Sequence, residues 1–349
     1  LSEVDHIALN QNSKANLGRK LSYAISNRPN PAMIWQRLRN RSKRSGISQE
    51  LAFAFPGSEF KGRVHAIEHH RAHLASAFLV SPFEEAATVS IDGFGDFSSS
   101  AWGVGKGADI DELGRVYFPH SMGVFYQALT QYLGFPHYGD EYKIMGLAPY
   151  GKPKYLDQLR QVVHSKPSGG FTLNLKYFRH HREQIAYDWD GGSPAFDELF
   201  SSELDGLLGP RRAKEDPLEQ HHKDLAHSVQ AIYEEVFFNL LNHLYEETGQ
   251  KKLALAGGCA MNSVANGKVR RKTPFEQVYI QSAAGDAGGA IGAAFSVWQE
   301  SGGKRDFVMD HAYWGPSATD EELALLVEES RNDLEAAGCT IQKIEDLES

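Results

Sequence analysis

Apolar residues along this chain fall into two kinds of run: blocks of four or five in succession, and longer stretches in which they recur every three or four positions. The first kind predicts buried strands and the second predicts helices. Val64-His65-Ala66-Ile67 reads as a short strand feeding a helix over residues 69 to 79, which is over before Pro82. Thr88 to Ile91 reads as a buried strand that ends at Asp92-Gly93-Phe94-Gly95-Asp96 and returns through Ser98 to Trp102, making a hairpin. Phe125, Leu129 and Leu133 mark the core face of a helix running from near His120 through Gln131, and Val229, Ile232, Val236 and Leu240 do the same for Leu225 to Leu244. Leu253 to Ala256 and Val278 to Ile280 read as strands that stop at glycines before a helix. Leu323 to Leu334 reads as an amphipathic helix, and Thr340-Ile341-Gln342-Lys343-Ile344 as a strand. Residues 153 to 222 keep no sustained period and read as an insertion with substrate-side loops, where no metal site is expected. Leu1 to Leu9 reads as the end of one element and a strand, so the chain is expected to lie inside a longer polypeptide at both ends.

Composition narrows the function classes. The 349 residues carry a net charge of -9, which argues against a general nucleic-acid binder, because phosphate neutralisation needs a basic surface. A basic run does exist: Arg19, Lys20, Arg28, Trp35, Arg37, Arg39, Arg41, Lys43 and Arg44. With Trp35 and Leu38 at helical spacing, it reads as a solvated helix with one packed edge rather than as a phosphate-binding arm. Two cysteines, Cys259 and Cys339, cannot build a disulfide framework, which points to a reducing cytoplasm. No segment approaches the length of a membrane span, and no signal peptide is visible.

Chemistry concentrates in a few blocks. On a helix, His69 and His73 point along one face, and Asp92 follows a buried strand, so two imidazoles and a carboxylate can converge as ligands for iron, manganese or zinc. The metalloprotease pattern is excluded, since the residue after His69 is His70 and no glutamate lies between the ligands. Gly93 and Gly95 let backbone amides approach phosphate oxygens; a plain hairpin would look the same. In the charged loop Gly139 to Gly151, Glu141 could reach ribose hydroxyls and Lys143 phosphates, with an exposed loop as the alternative. Gly257, Gly258 and Asn262 after one strand, and Gly285 and Gly288 after the next, place amides at helix N-termini facing an anion or a nucleotide. Asp286 is either a fourth metal ligand or a helix cap. His70 and His120 are candidate bases by chemistry alone, and Lys143 completes the candidate catalytic set.

Taken together, His-His-Arg-Ala-His-Leu-Ala-Ser-Ala-Phe (69 to 78), the Asp92 to Asp96 turn, Gly139 to Gly151, Leu255 to Gly267 and Ala283 to Ala294, in this order, resemble the nodulation-type O-carbamoyltransferases, which include antibiotic-tailoring enzymes for tobramycin and cephamycin. The resemblance runs over most of the chain. It implies an α/β, actin-like, two-lobed ATPase fold of the sugar kinase and Hsp70 type, with mixed sheets flanked by helices. Residues 1 to 85 would then be the remainder of the first lobe, 86 to 300 the second, and 301 to 349 a linker and the start of an adenylation domain. It further implies iron(II) held by His69, His73, Asp92 and Asp286, with ATP and its Mg as cofactors. Carbamoyl phosphate would be activated to carbamoyl adenylate, and the carbamoyl group passed to a hydroxyl of a small sugar or natural product. Neither a membrane nor nucleic acid is expected as a partner; a homodimer stays open. The family's opening hairpin and its Gly-Pro-Arg-Ala-Leu-Gly region are absent, so this chain alone is expected to lack carbamoyl adenylation. Two rival readings remain: a tRNA threonylcarbamoyl transferase, whose HxEGH motif is here His69-His70-Arg71-Ala72-His73, and a non-catalytic nucleotide-binding scaffold.

Overall fold

The computed structural model describes residues 1–27, 47–188 and 194–342. Within them β1 (His6–Leu9) and α1 (Leu17–Asn27) come first, then α2 (Ile47–Ala54), β2 (Arg63–Ala66) and α3 (His69–Phe78). A meander follows, β3 (Glu85–Gly95), β4 (Ser98–Lys106) and β5 (Asp109–Tyr117), leading into α4 (Met122–Tyr132) and α5 (Glu141–Leu147). The small hairpin β6 (Val163–Ser165) and β7 (Phe171–Leu173) precedes the long helix α6 (Gln220–Thr248). β8 (Lys252–Ala256), β9 (Gln277–Ile280) and α7 (Asp286–Glu300) complete the part that carries the site. Leu1–Asp310 forms one compact unit and His311–Ser349 another, which holds α8 (Asp320–Glu329) and α9 (Arg331–Ala336). Among the described residues no helix is long and apolar enough to cross a membrane.

The fold is mixed α/β around a five-stranded mixed sheet of order β9-β8-β3-β4-β5. β9, β8 and β3 run parallel, whereas β3, β4 and β5 are antiparallel. A separate parallel pair joins β1 to β2, with Leu9 opposite Ala66. The central strands are sorted by side-chain size. Val89, Ile91, Leu253 and Leu255 enter the large core shared with α4 and α6, while Ala86, Ala254 and Ala256 face Leu74, Ala75 and Phe78 of α3. Alternation along a strand sends successive residues to opposite faces, so small residues on one face let α3 lie close to the sheet. Gly105 shows how close, because a Cβ there would come within 2.3 Å of the Phe78 ring. On the other face Val229, Ile232, Val236 and Leu240 of α6 are all buried, as their spacing predicts, each worth about 1.5–3 kcal/mol of burial.

Several expectations change. Thr88 to Gly95 is continuous strand, with a register shift between Ile91 and Gly95, and the turn residues are Asp96 and Phe97 at φ 47° and 76°. Gly93 and Gly95 therefore lie in a bulged strand and not in the turn. Gly139 to Gly151 is not a loop for most of its length: Glu141 to Leu147 is α5, and Ala148 to Tyr150 a 3-10 turn. The amphipathic helix expected over Leu323 to Leu334 is two helices meeting at Ser330, with no residue of either buried. Thr340 to Gln342 form no strand; Lys343 and Ile344 lie outside the described residues. Of the basic run, Arg28 to Arg44 also lie outside them; Arg19 is on α1 with its guanidinium 4.6 Å from the Tyr117 ring centroid.

Candidate metal centre

α3 is held at both ends by charge. The Glu68 carboxylate caps it, accepting from the Arg71 amide at 2.8 Å, and is gripped by Arg115 at 2.9 Å. Burial works against ionisation of Glu68, but the Arg115 guanidinium outweighs it and holds the carboxyl down at about 2. Asp96, unnoticed in the sequence as more than a turn residue, accepts from the His69 amide at 2.9 Å and from the Asn12 amide at 2.6 Å. At the other end Arg305 donates to the carbonyls of Phe78 and Leu79, satisfying acceptors that a helix end leaves open.

This fixing aims two imidazoles at one point. His69 Nε2 and His73 Nε2 are 3.1 Å apart, and Asp92 Oδ2 lies 3.1 Å from the first and 3.2 Å from the second. Asp286, the first residue of α7, places Oδ1 3.5 Å from both nitrogens. Four bonds of about 2.1 Å in a tetrahedron have edges of about 3.4 Å, so these separations are those of ligands around one divalent ion. The donor set fits as well: two neutral nitrogens and two carboxylates suit a first-row metal. The histidines are buried, whereas the Asp286 side chain is 67% exposed, so the cluster opens to solvent on the Asp286 side.

Glycines shape this site. A Cβ on Gly95 would lie 1.9 Å from the His69 ring. Gly258 donates its amide to Asp92 Oδ1 at 3.0 Å, and a Cβ there would sit 2.8 Å from that same oxygen. Gly257, at φ 86°, donates to the Ala284 carbonyl at 2.7 Å, which ties the turn after β8 to the approach to Asp286. Ser121 caps α4 and donates to the carbonyls of Asp92 and Gly93, closing the bulge from the other side.

The carboxylates set the protonation of the site. Burial opposes ionisation of Asp92, yet hydrogen bonds from His69 and His73 hold it well below the usual carboxylate range. For His73 burial acts downward, and hydrogen bonds to Asp286 and Asp92 more than offset it, raising the imidazole to about 9. Metal-free protein therefore gains stability from protonated His73 that is complete below the unfolded value of about 6.5 and is lost as pH rises through about 9, up to about 3 kcal/mol in all. Melting temperatures of chelator-stripped protein should accordingly fall between pH 6.5 and 9.5. Metal-loaded protein, in which His73 carries no proton to lose, should show a flatter profile over that range; parallel curves would contradict the assignment.

The other sequence candidates are placed as follows. His70 is fully buried, with Nδ1 2.9 Å from Ser90 Oγ, and burial first, then the charge of His69, lower it to about 3. Lys143 pairs with Asp140 at 2.6 Å on the first turn of α5. Glu141 opens the same helix, half-buried, and burial pushes its carboxyl up. Asn262 exchanges two hydrogen bonds with the Gln230 amide, at 3.1 and 2.9 Å, and caps the short helix after it. Gly288 packs against the Ala283 carbonyl, which a Cβ would approach to 2.1 Å. Among the described residues nothing stands within 4 Å of a Cβ built on Gly93, and a Cβ on Gly285 would meet only Met261 at 3.7 Å. His120 lies apart from the cluster, with Nδ1 accepting from the Leu173 amide at 3.2 Å.

Comparison with known proteins adds an independent line. Residues 5–295 match the family described as Carbamoyltransferase N-terminus. An uncharacterised Synechocystis protein is 43% identical over 262 residues, covering 73% of this chain and 41% of that protein. Nodulation protein NolNO of Sinorhizobium fredii is 37% identical over 281 residues, covering 78% of this chain and 38% of that protein. Nodulation protein NolO of Bradyrhizobium diazoefficiens is 37% identical over 265 residues, covering 74% and 43%. The chain thus spans about two fifths of the length of these curated relatives. Among solved structures, HypF of T. kodakarensis matches with a TM-score of 0.37 at 18% identity, over 76% of this chain and 40% of HypF.

Proposed function

The chain belongs to the carbamoyltransferase N-terminal family, and from that premise we propose that it is the metal-holding part of an ATP-dependent O-carbamoyltransferase. The observation that carries this is the cluster of His69, His73, Asp92 and Asp286, with both imidazoles buried and Asp286 exposed. In this reading the fold is actin-like, with residues 1 to 85 and 86 to 300 contributing to its two lobes. The meander β3 to β5 extended by two parallel strands supports it. Activation of carbamoyl phosphate to carbamoyl adenylate belongs to the longer polypeptide, and the acceptor is a hydroxyl of a small sugar or natural product.

Iron(II) held by His69, His73, Asp92 and Asp286 would supply a Lewis acid to the reaction. The chain's own residues do the rest. Asp92, anchored by the Gly258 amide, and the two imidazoles fix three corners of the site, leaving Asp286 on the exposed side where a substrate arrives. Because the Gly258 amide is taken by Asp92 and the Lys143 charge by Asp140, the nucleotide meets the protein at Gly93 and Gly285, where the space a side chain would fill is free, with Glu141 as the ribose partner. His70, buried against Ser90, acts by holding α3 in place and not by touching an acceptor.

The test uses the full-length polypeptide, supplied with ATP, Mg, carbamoyl phosphate and a panel of hydroxylated small molecules. Mass spectrometry should find one acceptor heavier by a carbamoyl group, in a reaction that stops in His73→Ala. ATP binding without any modified acceptor would favour the scaffold reading instead.

A further inference from the structure

A second concavity lies at the far edge of the five-stranded sheet, and none of the four cluster residues borders it. Strands β4 and β5 supply its floor, the β6–β7 turn one wall and the last turns of α6 the other, around a volume of ≈ 490 Å³. That falls within the range of small-molecule sites, about 300–1,000 Å³. Its floor is apolar and buried, with Trp102, Val116 and Phe171. Gly170 leaves room above it, since a Cβ there would reach only ordinary contact, 3.9 Å from Trp102 and from Val116.

One cation at this cavity has no carboxylate partner among the described residues. Arg115 is committed to Glu68 and Glu112, and Glu247 faces His243 at 3.5 Å. Lys166 makes no ion pair among the described residues. His120 accepts from the Leu173 amide through Nδ1, so the neutral ring carries its proton on Nε2 as a donor. Burial first, and then the uncompensated charge of Lys166, keep that ring neutral by pushing it down to about 4. A cation, an N–H donor and the exposed edges of three buried apolar side chains thus border one volume.

We propose that this cavity binds a small organic anion with a flat apolar body, an aryl phosphate or aryl carboxylate, its anionic end held by Lys166 Nζ and His120 Nε2–H and its ring against Trp102 and Phe171. The site is independent of the carbamoyl-transfer reading. Isothermal titration of the metal-loaded chain with phenyl phosphate should show one site per chain. Lys166→Gln, at an exposed position, should weaken binding at least about tenfold, the loss of one charged contact. Gly170→Leu should abolish binding by filling the cavity, His73→Ala should leave it unchanged, and inorganic phosphate should bind at least about tenfold more weakly for want of a ring. The proposal is overturned by no measurable binding, or by equal affinity in the wild type and Lys166→Gln. It is equally overturned if a His73→Ala protein shown by circular dichroism to be folded loses the probe, which would put phenyl phosphate at the metal cluster, or if inorganic phosphate binds as tightly.

Discussion

His73→Ala is expected to reduce bound metal from about one ion per chain to nearly none, while His69, Asp92 and Asp286 all remain. The reason is position. His73 Nε2 is within 3.5 Å of each of the other three ligand atoms, and removing it leaves a single nitrogen and two carboxylates, one of them exposed. The variant also loses a fully buried ring from α3, at roughly 2–4 kcal/mol by analogy with other large-to-small core changes. Folding must therefore be measured beside metal content. Elemental analysis after loading and dialysis, with circular dichroism on the same samples, separates the two. A folded His73→Ala that keeps a full equivalent of metal would remove this cluster as the centre. Asp286→Ala should do less, because an exposed carboxylate is readily replaced by water.

Much of the centre was legible because its two main signals are local. His69 and His73 are four apart on a helix whose strand feed and downstream stop are both visible in the letters, and Asp92 follows an apolar run. Asp286 reads in the sequence as ligand or cap alike, since an acidic residue at a helix start serves either purpose; in the fold it lies 3.5 Å from both imidazoles, close enough to share an ion with them. The glycines were harder. In the sequence Gly95, Gly257, Gly258 and Gly288 share one explanation, a backbone close to a nucleotide. In the folded chain each faces a different protein atom: the His69 ring, the Ile91 backbone, the Asp92 carboxylate and the Ala283 carbonyl. A glycine reports that something comes close and not what does, and the partner here comes from another part of the chain. Asp96 was missed for a similar reason. Its φ of 47° and its hold on the His69 and Asn12 amides follow from the pairing of β3 with β4, which fixes where the turn falls. The helix α5 was hidden by flanking glycines and charges, whose turn signal outweighed seven residues of helical pattern.

Gly292→Ala sets two physical effects against each other and lets magnitude decide. In the middle of a helix, alanine is favoured over glycine by about 1 kcal/mol, so propensity alone predicts a gain in stability. Packing predicts the opposite. Gly292 lies in α7 where it crosses α3, and a Cβ there would stand 1.8 Å from the Ala72 carbonyl oxygen and 2.5 Å from the Ser76 amide nitrogen. Both are backbone atoms, so no side chain can rotate away, and relief requires the two helices to part by more than an ångström. Overpacking of this kind costs roughly 3 kcal/mol, which exceeds the propensity term. The separation would also be felt at the centre, because α3 carries His69 and His73 while α7 carries Asp286. Gly292→Ala should therefore lower the urea midpoint of metal-free protein and weaken metal binding together, while Gly285→Ala, whose Cβ meets only Met261 at 3.7 Å, should leave the midpoint nearly unchanged. A higher midpoint for Gly292→Ala would mean that propensity wins and that the α3–α7 contact has slack; an unchanged metal affinity at a lowered midpoint would mean that the four ligands are not held by this crossing.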